Sequence, residues 1–221
     1  MARAHPEGAA PGGLRERKKR QTRDALIRSA LELFTTRGYE ETTVDEIAEA
    51  AGVSQRTFFR YFAGKEAVAF SVHDLVEEHF LDAFGARPDG EPPLTALRRA
   101  VSVTWETFGE AVGEAVEPGL HMRMYQVIES TPALLAAAMC RSAELEDQLV
   151  RDIARRAGVD PATDVRPRVL VAAFTGVMRM TGRLWGAGPD ASAGALRRLT
   201  ECHLDAIGPA LALERRHPPA D

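Results

Sequence analysis

The chain has 221 residues, 45% of them hydrophobic and 27% charged, with a formal net charge of −4 at pH 7. That is the composition of a soluble globular protein of one large or two modest domains, with ample material for a core. No run of eighteen apolar residues occurs, so no membrane span is expected. The stretch MARAHPEGAAPGGLRERKKR lacks the apolar segment of a secretory signal. Cys140 and Cys202 lie far apart without metal-ligand spacing. They read as small buried thiols of a reduced, cytoplasmic protein, with neither a structural disulfide nor a metal.

The negative total hides an asymmetry. Residues 1–65 hold 12 Lys/Arg against 9 Asp/Glu, and residues 66–221 hold 16 against 23, so a module of net +3 precedes a body of net −7. A cationic module on an acidic body suits a nucleic-acid partner for the first part alone. Residues 1–14, rich in Gly, Ala and Pro, read as a disordered arm. Arg15, Arg17, Lys18, Lys19, Arg20 and Arg23 follow, with Glu16 the single acid among them. A first helix is expected over about 17–37, with Leu26, Ile27, Ala30, Leu33 and Phe34 as its buried stripe and Arg37-Gly38 as its end.

Residues 43–62 form two short helical patterns that meet at a glycine. Thr43 stands as N-cap before the acidic first turn Asp45-Glu46. Ile47, Ala48 and Ala51 share a buried face, and small Ala48 lets a second helix cross closely. Gly52 accepts positive φ, so the first helix can stop there. Ser54 is the N-cap of a second helix that buries Phe58 and Phe62 and turns Gln55, Arg56, Phe59 and Arg60 outward. This is a helix-turn-helix, and its outer residues are of the types that read a DNA groove. The basic run directly precedes it, which favours phosphate contact by Arg20 and its neighbours over a merely solvated helix end. After Ala63-Gly64, Lys65 opens a fourth helix expected to reach about Phe84. A lysine is poorly placed at the positive end of a helix dipole, and a shared DNA phosphate would resolve the conflict.

Beyond the loop GARPDGEPP at 85–93 there is no strand-like alternation. Helices are expected over about 94–113, 118–129, 132–157, 165–186 and 192–214. The fold class is therefore all-α, with about nine helices. A three-helix helix-turn-helix domain occupies about 15–65, a helical ligand-binding and dimerisation domain about 66–214, and a tail 215–221. The segment VLVAAFTGVMRMTGRLW is apolar on most faces and must be covered on more than one side. With the amphipathic segment carrying Leu196, Leu199, Leu204, Ile207 and Leu211, it forms the expected homodimer seam over 165–186 and 192–214. Trp105, Phe108, His121, Met124, Tyr125, Ile128, Met139, Phe174 and Met178 supply the adaptable aromatic and methionine surface of a pocket for a lipid-like or drug-like molecule. The same spacing also fits plain core packing. Arg123 and Arg179 pair with an acidic ligand group in the first reading and are solvated or salt-bridged in the second.

The run TRDALIRSALELFTTRGYEETTVDEIAEAAGVSQRTFFRYFAGKEAV from residue 22 resembles the TetR family of bacterial transcriptional regulators, with first helix, helix-turn-helix and lysine-led helix in the same order. The resemblance implies an all-helical homodimer, a C-terminal small-molecule pocket, and repression of a DNA operator that is relieved when an effector binds. RTFFRYF and RPRVLVAAFTGVMRMTGRLW look similar to an actinobacterial subgroup with acyl-CoA-like ligand-binding domains, which implies an acyl-CoA or other lipid-like effector. Carried over residue by residue, Thr43 meets a phosphate. Gln55, Arg56 and Thr57, headed by Ser54, lie where base edges are read, and Tyr61 and Lys65 match phosphate-binding positions. Phe59 stands where many relatives have tyrosine; it cannot bond a phosphate, which leaves a thymine methyl contact or core packing. Arg60 serves phosphate or base.

An enzyme is the rival class. No pair of Glu-x-x-His helices, His-Glu-x-x-His helix, Gly-rich phosphate loop or Gly-x-Ser-x-Gly elbow occurs, and the six histidines are scattered. Neither catalysis nor a cofactor is expected. Two alternatives to a ligand-released repressor remain: a transcriptional activator, and a DNA-binding scaffold without a sensor, whose body would be solid core.

Overall fold

The computed structural model describes residues 11–111 and 117–211, and among these every regular element is a helix. The order is α1 (Pro11–Arg37), α2 (Val44–Ala50), α3 (Gln55–Phe59), α4 (Lys65–Ala69), α5 (Ser71–Gly85), α6 (Pro93–Ala111), α7 (Pro118–Ser130), α8 (Pro132–Ala157), α9 (Arg166–Ala187) and α10 (Ala193–Leu211). The all-α expectation holds, with ten helices among the described residues instead of nine. The extra one arises because the expected fourth helix breaks at Phe70, where the buried Ser71 hydroxyl donates to the Val68 carbonyl at 2.7 Å and competes with the helical ladder. Helix α1 starts at Pro11, inside the expected arm; residues 1–10 and the expected tail at 215–221 lie outside the described residues. No helix among the described residues is long and apolar enough to cross a membrane.

The chain divides into two compact units, 1–71 and 72–221. In the first, α1 packs on both α2 and α4, so its buried stripe is Leu26, Ile27, Ala30, Leu31 and Phe34. Leu33, expected in that stripe, is only half-buried, because two partners on one side widen the stripe toward Leu31. Ile47, Ala48, Phe58, Phe62 and Val68 close the core from the other helices. Each fully buried large side chain contributes roughly 1.5–3 kcal/mol. Gly38, at φ +98°, ends α1 in a conformation that a Cβ would strain.

The second unit has two clusters. In the larger, Phe80 and Phe84 of α5 meet Leu97 and Ala100 of α6, Leu149 and Ile153 of α8, Val171 and Phe174 of α9, and Leu204 of α10. Phe80 stacks on Phe84 and on Phe174, with centroids 6.3 and 5.8 Å apart. Arg156 of α8 donates to the Phe84 carbonyl at 2.7 Å and the Arg87 carbonyl at 3.1 Å, and so satisfies the free end of α5. In the smaller cluster, Met122, Trp185 and Ala195 pack with Tyr125, Leu196 and Leu199. Cys140 and Cys202, expected to be buried, are both exposed and free, because α8 and α10 bury other faces.

Candidate nucleic-acid interface

Thr43 begins the motif with a reciprocal cap. Its hydroxyl accepts from the Glu46 amide at 3.2 Å, while the Glu46 carboxylate accepts from the Thr43 amide at 2.9 Å. The Thr43 amide and hydroxyl, with Arg37 beyond them, hold the Glu46 carboxyl below its ordinary range. Helix α2 ends at Gly52, φ +67°, whose freedom lets the Val53 amide reach the Ala48 carbonyl at 2.9 Å. Ser54 then caps α3 by accepting from the Thr57 amide at 3.2 Å, and its hydroxyl lies 3.0 Å from that of Thr57.

These two caps set the rotation of α3. Phe58 is fully buried and Phe62 nearly so, which turns Gln55, Arg56, Phe59 and Arg60 to solvent. Phe59 is 52% exposed and meets Phe58 edge-on at 5.4 Å, so core packing does not describe it. The Arg60 guanidinium lies 5.1 Å from the half-buried Tyr61 ring, and that of Arg23 lies 5.4 Å from the Phe62 ring. Arg20 is exposed on α1. Motif matching does not single out the Arg23–Phe62 pair; the i, i+3 relation of Arg23 to Leu26 on the core-facing side of α1 is the signal that could have found it.

Lys65, expected to meet a phosphate, has partners within its own unit. Its ammonium donates to the carbonyls of Tyr39 at 2.9 Å, Glu40 at 3.2 Å and Thr42 at 3.4 Å, and it lies 4.4 Å from the Tyr39 ring centroid. An ammonium has three protons, and all three are engaged. Within the unit the ammonium is thus held by this carbonyl cluster, with the Glu40 carboxylate 3.9 Å away.

Among the described residues the expected pocket residues fall into separate groups: Trp105 and Met178 pack against the larger core that holds Phe174, while His121 and Tyr125 meet at Trp185. Phe174 is 3% exposed within the larger core and Met124 is buried; Met178 packs against the larger core, and Ile128 is half-buried. Met139, expected in a pocket wall, is 64% exposed, because α8 turns it outward. Phe108 lies in α6, but its side chain is outside the described residues. Trp105 borders a groove of about 220 Å³ between α6 and α10, with Arg98, Arg197 and Thr200. His121 and Tyr125 of α7 meet Trp185 at 5.4 and 6.3 Å. Burial, and secondarily His73, pushes the His121 imidazole down to about 4, and burial, reinforced by Glu129, pushes the Tyr125 phenol up to about 12. The Tyr125 ring lies across a notch formed by Gly182 and Gly186 of α9, and Gln126 donates to the Gly186 carbonyl at 2.6 Å. The Gly-x-x-x-Gly spacing is the sequence signal for this crossing. Of the arginines considered for an acidic ligand group, Arg123 and Arg179 are both exposed.

A capped helix pair that displays arginine, glutamine and an exposed aromatic, followed by a separate helical body, defines a helix-turn-helix DNA-binding regulator. The chain belongs to the TetR family: residues 26–72 match the bacterial regulatory proteins of the tetR family, and residues 91–211 match the MftR C-terminal domain. It is 46% identical over 218 residues to the HTH-type transcriptional regulator TcmR of Streptomyces glaucescens, covering 99% of this chain and 95% of that one. It is 31% identical over 172 residues, 76% of this chain and 82% of the relative, to MftR of Mycobacterium tuberculosis, named as a mycofactocin biosynthesis transcriptional regulator. A transcriptional regulator from Aquifex aeolicus shares the fold, with a TM-score of 0.54 at 15% identity over 87% of this chain and 99% of that chain. The protein is thus a DNA-binding transcriptional regulator of the TetR type and not an enzyme.

Proposed function

We propose that the protein is a cytoplasmic repressor that binds a pseudo-palindromic operator as a homodimer and is released by a small apolar or acyl-type molecule. The observation that carries the DNA reading is the outer face of α3. Arg56 suits a bidentate pair with guanine, Gln55 one with adenine, and Phe59 contact with a thymine methyl. Ser54, Thr57 and Arg60 flank them, while Arg20, Thr43 and Tyr61 take phosphates. Lys65 acts by holding the turn at 39–42 that carries Thr43, and not by touching DNA.

The dimer reading rests on α9. Val165, Val169, Met180 and Leu184 are exposed along one side at helical spacing, with Ala172, Ala173 and Gly176 between them. A second copy that covers this stripe would remove it from water, and the small residues permit close approach. Helix α10 packs beside α9 and would share the seam. Two-fold pairing then dictates a pseudo-palindromic operator. The effector must bind the DNA-free state better to cause release. The chain passes from the DNA-binding unit to the body through α4 and α5, which gives displacement of α5 a covalent route to the motif.

One observation favours a regulator without a sensor: Phe174 and Met124 are closed into core. Native mass spectrometry of the purified protein, followed by operator release with whatever compound is retained, separates the two. A retained compound that lowers operator affinity supports the sensor; affinity that responds to no retained compound selects the scaffold.

A further inference from the structure

The smaller cluster of the body holds a donor that the fold does not use. Trp185 is 3% exposed, and its indole N–H finds no acceptor among the described residues. A buried donor left without an acceptor costs roughly 1–3 kcal/mol, and native structures keep few of them. The rings of His121 and Tyr125 lie 5.4 and 6.3 Å from that of Trp185. The Tyr125 hydroxyl bonds to the Glu129 carboxylate, which Arg183 neutralises at 2.9 Å. His121 has different surroundings. Its side chain is only half-buried, and yet burial is the main reason that its imidazole stays neutral. His73 of α5 combines the same two properties: its side chain is 55% exposed, and burial still holds it below its ordinary range. A side chain that is open on one side and desolvated on the others lines a recess; it does not stand on a convex face. The charge of His73 acts on His121, so the two share that recess. On the His73 side, Asp74 pairs with Arg141 of α8, and Glu77 lies 3.7 Å from His73, with Glu144 of α8 near it.

We infer that the recess at His73 and His121 binds an uncharged ring compound, one oxygen of which accepts the Trp185 N–H. On the ligand-released reading above, on which this inference rests, that compound is the effector. Three features select the chemistry. The unused donor calls for an acceptor, and a carbonyl or ether oxygen supplies one. The indole and imidazole rings form a wall that suits a flat apolar body. The surroundings that keep His121 neutral equally penalise a charge on a ligand beside it, which disfavours acids and amines.

The test uses the full chain and three probes of one shape: 2-acetylnaphthalene with a carbonyl, 2-ethylnaphthalene without one, and 2-naphthoate with a charge. Trp105 and Trp185 are the two tryptophans of the chain, so the indole N–H region of a proton–nitrogen spectrum holds two signals, and Trp105→Phe assigns them. The ketone should move the Trp185 N–H proton downfield. It should also bind about tenfold more tightly than the ethyl compound, the scale of one hydrogen bond to a buried donor. Naphthoate should bind the most weakly of the three. Replacing Trp185 by 3-(3-benzothienyl)alanine keeps the ring shape and removes the N–H, and it should make the ketone and the ethyl compound equal. A Trp185 signal that no probe moves overturns the inference. So does equal affinity of the ketone and the ethyl compound for the wild type, or tightest binding by naphthoate. An operator titration with the bound ketone separates this inference from the reading beneath it. Binding that shifts Trp185 but leaves operator affinity unchanged supports the site and refutes release by its ligand.

Discussion

Replacing Lys65 by methionine keeps the side-chain stem and removes only the ammonium, which leaves the carbonyls of Tyr39, Glu40 and Thr42 without their shared donor. Hydrogen bonds from a charged donor are worth roughly 1.5–3 kcal/mol, but three that share one part-exposed ammonium do not add. The cation–ring attraction to Tyr39 goes with them, and the expected cost is about 2 kcal/mol. For a unit of this size that lowers the melting temperature by roughly 8–16 °C. Melting followed by circular dichroism, together with an operator titration across salt, reads both consequences. If Lys65 is a clamp, stability falls, operator affinity falls with it, and the slope of affinity against salt stays the same. A phosphate ligand behaves oppositely: melting is unchanged and the slope drops by about 0.9. That second pattern would refute the reasoning.

Gly182→Ala should destabilise by about 1–3 kcal/mol, because the new Cβ would lie 2.6 Å from the Tyr125 hydroxyl oxygen and 2.9 Å from its ring carbon. Gly208→Ala, which meets nothing within 4 Å, should be neutral or stabilising, and parallel thermal melts compare the two. Met180→Asp places like charges across the proposed two-fold seam and should raise the dimer dissociation constant about a hundredfold or more, read by sedimentation. The His121 imidazole is held down at about 4 in the fold and titrates near 6.5 when unfolded, so acid protonates the unfolded chain first. Stability should be complete above about pH 6.5 and decline by up to about 3 kcal/mol toward pH 4. His121→Gln should flatten that decline in pH-dependent melts, with the residual slope carried by His73, which burial also pushes down.

The motif was legible because its determinants are local. Thr43 with Glu46, Gly52 and Ser54 each act within a few residues, and the four-residue spacing of Phe58 and Phe62 fixes which side of α3 faces out. Lys65 was not legible in the same way. Its partners lie 23 to 26 residues earlier, in a turn whose carbonyls a linear reading cannot orient. The break at Phe70 carries neither glycine nor proline; it depends on where the Ser71 hydroxyl finds an acceptor. In the body, helical spacing identified apolar faces but not their partners. Phe174 therefore went to the core, Met139 to solvent, and Tyr125 to the Gly182–Gly186 notch.

The central claim is that the outer face of α3 reads bases. Titrating wild type and Arg56→Ala against a selected operator and its single-base variants tests it directly. Arg56→Ala should cost roughly 1–3 kcal/mol on the operator and abolish discrimination at one position in each half-site. A uniform loss across all variants, with every base preference retained, would contradict it.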